Sequence, residues 1–129
     1  MKISQKEIES VSRLTSIERY NYFLKRVADF ELMYTLIDEQ GNLAISEIEH
    51  KLMVSFWSAK EYAQINAINE WKNYQIKEFS VEEFENELID IIETNNYILN
   101  IFPINDKTGV VVDLNEFARD LNNEMKKYH

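Results

Sequence analysis

Apolar side chains recur at steps of three and four along several stretches of this chain. Ile17, Tyr20, Leu24, Val27 and Ala28 do so after Thr15. Val81, Phe84, Leu88, Ile91 and Ile92 do so after Ser80, and Leu114, Phe117, Ala118, Leu121 and Met125 after Asp113. This spacing gives a helix one apolar stripe and leaves its other faces wet. After Ser58 the stripe is broader and runs through Ala59, Tyr62, Ala63, Ile65, Ala67, Ile68 and Trp71. A first helix, over about 4–13, has only Ile8 and Val11, with Leu14 behind them, to bury.

The helix starts carry their own signal. In a capping box, Ser, Thr or Asp accepts from the N–H three residues on, and the Glu there reaches back. Five pairs fit: Ser4 with Glu7, Thr15 with Glu18, Ser58 with Glu61, Ser80 with Glu83, and Asp113 with Glu116. Each stands at the head of one of the five predicted helices.

Between them the period drops to two. Segments 31–38, 43–48, 52–57 and 97–102 read as strands, with a short extended piece at 75–79. Val110, Val111 and Val112 form a β-branched return strand, and Pro103 closes the strand before it because it cannot donate to a ladder. Two loops read as hairpin turns: 39–42, where Gly41 and Asn42 accept positive φ, and 105–109. Strand runs separated by helices predict an α+β fold. We expect an antiparallel or mixed sheet of about five strands, with five helices packed against it. The chain reads as one domain over residues 1–129, with no linker, repeat or low-complexity tract.

Composition narrows the chemistry. Among 129 residues there is no Cys, so a disulfide framework, a Cys-based zinc site and a thiol nucleophile are excluded. His50 and His129 are the two histidines, too few for a zinc site, and no calcium-loop pattern is present, so no metal is expected. Two glycines in separate turns cannot build a phosphate-binding loop, and no cofactor is expected. No stretch reaches the length of a membrane span, and the start resembles no signal peptide, so a cytoplasmic location is the expectation.

The net charge is −9, which argues against nucleic acid as a partner. A nucleic-acid site would need Arg13, Arg19, Lys25 and Arg26 to form one patch. The charge is not uniform: residues 77–94 hold seven acids against Lys77 alone, whereas residues 1–30 are net basic.

By residues, the segment Arg19-Tyr20-Asn21-Tyr22-Phe23-Leu24-Lys25-Arg26-Val27-Ala28-Asp29 resembles the opening motif of a bacterial family known as domain of unknown function 2750. The likeness continues through Val54-Ser55-Phe56-Trp57-Ser58-Ala59-Lys60-Glu61-Tyr62-Ala63, then Trp71, then the acidic helix with Phe84 and Leu88. Asn100-Ile101-Phe102-Pro103 and Gly109-Val110-Val111-Val112 resemble its closing hairpin. The likeness spans roughly 15–127. Tyr34 stands where the family pattern has Trp, which keeps an aromatic in the strand, and Ser58 where Pro is usual. The resemblance implies a fold and a bacterial source, and it carries no assigned activity.

Two kinds of site remain. An acidic stripe of Glu82, Glu83, Glu87 and Asp90 would steer a basic protein partner, making this a non-enzymatic interaction domain. An immunity- or antitoxin-type inhibitor masking a basic toxin is one form of that role. The rival is a small-ligand or enzymatic pocket in which Arg19 supplies a cationic floor beneath Tyr22, Trp57 and Trp71. Nothing in the pattern sets the oligomeric state.

Overall fold

The computed structural model describes residues 2–128. His129 lies outside them. The helices begin largely where the capping pairs predict. Thr15 and Ser80 form complete boxes with Glu18 and Glu83, so both orphan donors of each first turn are satisfied. Ser4 and Asp113 each accept from the N–H three residues on.

Ser58 is the exception. Its helix starts one residue later, at Lys60, with Ala59 at the N-cap and no side-chain cap. Glu61 does not reach back; its Oε2 accepts from the Ile3 N–H at 3.2 Å and ties down the N-terminal segment.

The resulting helices are α1 (Gln5–Ser12), α2 (Ser16–Phe30), α3 (Lys60–Ile65), α4 (81–95) and α5 (Leu114–Met125). Helix α3 is shorter than its apolar stripe predicts. It stops at Asn66 and gives way to a 3-10 turn over Asn69–Trp71, which leaves Ile68 exposed. Helix α4 widens into a π turn over Phe84–Leu88. The extra residue in that turn shifts the stripe, so Ile92 is buried and Ile91, expected inside, points out. On α2 the buried stripe centres on Tyr20, Phe23 and Val27, which brings Arg19 inside and leaves Ile17 exposed.

Six strands form two sheets rather than one of about five strands. β1 (Leu32–Ile37) pairs antiparallel with β4 (Gln75–Ser80). The second sheet has the order β2 (Ile45–Ile48), β3 (Lys51–Phe56), β5 (Ile98–Ile101), β6 (Val110–Val112). It is mixed: β2–β3 and β5–β6 are antiparallel, and β3–β5 is parallel across the intervening helices. A bridge between Tyr34 and Trp57, with both backbone bonds at 2.9 Å, joins the two sheets.

The turn at 39–42 forms, with Gly41 at φ 84, and closes a short hairpin: Leu43 bridges antiparallel to Ile37, and the Ala44 N–H donates to the Leu36 carbonyl at 2.9 Å. A second hairpin, β2–β3, follows it. It turns through Glu49 and His50, both at positive φ. Neither residue type signals such a turn, so the sequence pattern missed it.

A chain of rings runs through the core on one face of the larger sheet. Phe56 meets Phe84 at 5.8 Å, Phe84 meets Phe117 at 5.8 Å, and Phe117 meets Phe23 at 6.0 Å. Val54, Phe56, Leu99, Ile101 and Val112 belong to that core. The alternate residues of β3 and β5, Met53, Ser55 and Asn100, lie on the other face.

Candidate functional site

Three of the four expected pocket residues converge, but on a stretch of backbone. Phe102 follows β5 at φ 66, a conformation that a bulky aromatic adopts only when its surroundings hold it there. The Arg19 guanidinium holds it on one side: Nε donates to the Phe102 carbonyl at 3.0 Å, with further bonds to the carbonyls of Leu14 at 2.7 Å and Thr108 at 3.2 Å. The Trp57 indole N–H donates to the Pro103 carbonyl at 2.8 Å, and the Tyr22 ring meets the Phe102 ring edge-on at 5.9 Å.

Arg19 and Trp57 are fully buried. Burial lowers the Arg19 pKa, since no carboxylate is bonded to the guanidinium and carbonyl dipoles alone solvate it. The expected cationic floor is therefore a clamp on the 102–108 loop, closed to a ligand. The Tyr22 hydroxyl donates to Glu7 and meets the Tyr62 hydroxyl at 2.9 Å, which docks α1. Burial, then these hydrogen bonds, raises the Tyr22 pKa far above the ordinary tyrosine value.

The buried position of Arg19 also breaks up the basic set. Arg26 lies over the rings of Tyr22 and Phe30 and 3.9 Å from Glu7, while Arg13 and Lys25 are exposed.

Trp71, the fourth residue, stands apart from the clamp. It lines an open groove of about 670 Å³ over the outer face of β2, β3 and β5. The floor is Ser46, Met53, Ser55 and Asn100, and the 103–108 loop and the 3-10 turn form the sides. The hydroxyls of Ser46 and Ser55 are buried and have no hydrogen-bond partner among the described residues. Asn100 accepts from the Gly109 N–H through Oδ1 at 2.9 Å, which turns its NH2 end away from that contact. Gly109 is required there: a Cβ would lie 1.9 Å from the Ile101 carbonyl oxygen.

The acidic set lies on α4, which packs on the core side of the same sheet through Phe84. Glu82, Glu83, Glu85, Glu87, Asp90 and Glu93 are all exposed. The ion pairs among the described residues are Arg26–Glu7, Arg119–Glu116 and Lys127–Glu124, none of them on α4. Glu83 differs from its neighbours. It accepts from the Ser80 backbone N–H at 2.8 Å, and that bond holds its carboxyl below the usual range.

A family model described as a protein of unknown function (DUF2750) matches residues 20–121, most of the chain. The chain belongs to the DUF2750 family. No curated protein matches it. The DUF2750 segment contains the groove floor, Trp57, Trp71 and the whole of α4, while Arg19 lies one residue before its start. No helix among the described residues is long and apolar enough to cross a membrane. Among the same residues, no group of His, Asp and Glu is placed to hold a metal ion.

The groove residues Ser46, Ser55 and Asn100 escaped the sequence reading. Their signal was present: Ser55 interrupts Val54 and Phe56, and Asn100 interrupts Leu99 and Ile101, in strands that would otherwise be apolar. A strand buried on both faces that keeps a polar residue on one face has a use for it.

Proposed function

We propose that this protein is a non-enzymatic interaction domain that engages a basic protein partner through the acidic face of α4. The supporting observation is a row of exposed carboxylates with no cation paired to it, next to an exposed apolar residue. The carboxylates of Glu82, Glu85, Glu87, Asp90 and Glu93 take part in no ion pair or side-chain hydrogen bond among the described residues, and Ile91, 43% exposed, sits among them. Like charges three or four apart on a helix repel by a few tenths of a kcal/mol per pair. A partner's Lys or Arg side chains would relieve that repulsion and steer the encounter. Ile91 would add an apolar contact at the centre of the charged patch.

The test is capture from a host lysate on the immobilised chain. Wild type should retain a basic protein that washes off at about 0.5 M salt, where the Debye length falls to a few ångströms. Glu82→Lys combined with Glu87→Lys and Asp90→Lys should lose it. Glu83 is left unchanged because it caps the helix. Retention of the same protein by the triple variant would refute the proposal.

A further inference from the structure

We infer that the outer face of the larger sheet is a self-association surface, on which a second copy of this chain docks about a two-fold axis. Helices α2, α4 and α5 pack on the other face through Phe23, Phe84 and Phe117. A sheet face left to water is ordinarily polar, but this one is half apolar. Ile48 on β2, Ile98 on β5 and Val111 on β6 point to it, in register with Lys51, Met53 and Asn100. Among the described residues eight large apolar side chains are exposed, and four of them, Ile48, Leu52, Ile68 and Val111, lie on this face or line its groove. Half of the exposed apolar set gathered on one face is a patch rather than scatter, and such patches mark protein contacts.

The charge pattern names the occupant. Each copy carries −9, so two copies repel wherever their acidic surfaces meet, α4 above all. The outer face instead carries both signs: Lys51 and Lys107 against Glu47, Glu70 and Asp106, all of them exposed. A surface with both signs complements its own copy when a two-fold axis sets the lysines of one beside the carboxylates of the other. A strongly basic partner would meet the two lysines here, and a strongly acidic one the three carboxylates. The shape agrees with this pairing. The wall at 68–71 stands beside the groove, so the same axis lays Ile68 and Trp71 of each copy into the groove of the other, a space of about 670 Å³. Trp is among the residue types most enriched at the centre of such contacts. Helix α4 is on the opposite side of the sheet and stays uncovered in this dimer, so the inference does not depend on the proposal made for that helix.

The test is sedimentation velocity of the full chain from about 5 µM to about 1 mM, the span over which a weak dimer with a micromolar Kd forms. The mass should rise from 15.4 kDa toward twice that value. Added salt should tighten the dimer, because screening weakens the repulsion between two acidic copies. Ile48→Glu combined with Ile68→Glu alters two exposed side chains, and should weaken association at least about tenfold while the near-ultraviolet circular dichroism is unchanged. Ile91→Glu on α4 should dimerise as wild type does. Glu47→Lys with Glu70→Lys, and Lys51→Glu with Lys107→Glu, should each stay monomeric alone and pair with one another when mixed. The inference is overturned if the chain stays at 15.4 kDa up to about 1 mM, the outcome expected of a face that seats a different protein. It is equally overturned if the Ile48→Glu, Ile68→Glu variant dimerises as tightly as wild type, if Ile91→Glu abolishes association, or if salt dissociates the dimer.

Discussion

Arg19→Ala separates a structural clamp from a binding residue. The substitution removes three charge-assisted hydrogen bonds at 2.7, 3.0 and 3.2 Å. Only the bond to the Phe102 carbonyl is fully buried, so that oxygen bears most of the penalty, about 1–3 kcal/mol. The Leu14 and Thr108 carbonyls are partly accessible, and water can replace the guanidinium there at smaller cost. The space left by the side chain adds a cavity contribution, while relief from burying a cation subtracts one. The net loss should be about 3–4 kcal/mol, a large part of the about 5–15 kcal/mol typical of a domain. Arg19→Lys keeps the charge but not the fork, and should lose about 1–2 kcal/mol. Urea unfolding followed by the fluorescence of Trp57, which bonds the adjacent Pro103 carbonyl, reads both losses. Neither should change with salt, because carbonyls rather than a carboxylate hold the guanidinium. A loss below about 1 kcal/mol for Arg19→Ala would refute the clamp, since even one stranded buried carbonyl costs that much.

Three further outcomes follow from the same geometry. Ser80→Ala should destabilise by about 1 kcal/mol, whereas Ser58→Ala, which removes a buried hydroxyl with no partner, should be neutral or stabilising. Equal losses in urea unfolding would contradict this. Gly109→Ala forces a Cβ against the Ile101 carbonyl and should cost about 2–3 kcal/mol, seen as a lower Tm; an unchanged Tm would mean the 103–109 loop yields freely. Burial raises the Tyr34 and Tyr62 hydroxyls to about 12 and those of Tyr20 and Tyr22 further. Raised tyrosines contribute stability that is intact below the unfolded value near 10 and is lost as pH climbs through the folded values. Ultraviolet titration should show these four hydroxyls protonated until the chain unfolds in strong alkali. Their ionisation near pH 10 in folded protein would contradict that.

The element order was legible because local chemistry marks it. The Thr15 and Ser80 boxes, Pro103 after β5 and the three valines of β6 are short-range signals that tertiary packing did not override. The misses have long-range causes. Glu61 makes no cap and instead accepts from the Ile3 N–H, fifty-eight residues away in sequence. The Glu49–His50 turn forms with residues that carry no turn signature, because the β2–β3 register demands it. The π turn, which moved Ile91 outward, depends on where Phe84 and Ile92 meet the rest of the core.

The candidate sites divide in the same way. Exposure of the α4 carboxylates was readable from periodicity. Arg19, Tyr22 and Trp57 were marked as special by residue type, but only the fold shows them gripping Phe102 and Pro103 instead of lining a pocket. The groove needs residues from β2, β3, β5 and the 3-10 turn to meet, and no linear pattern encodes that meeting.

The most direct test of the α4 proposal is the association rate of the captured basic partner, measured against ionic strength for wild type and for the Glu82→Lys, Glu87→Lys, Asp90→Lys variant. The wild-type rate should fall steeply between low and physiological salt, because exposed charges steer the encounter. The variant should associate far more slowly, with the salt dependence abolished or reversed. The same rate and the same salt dependence for both proteins would show that the acidic face of α4 takes no part in recognition.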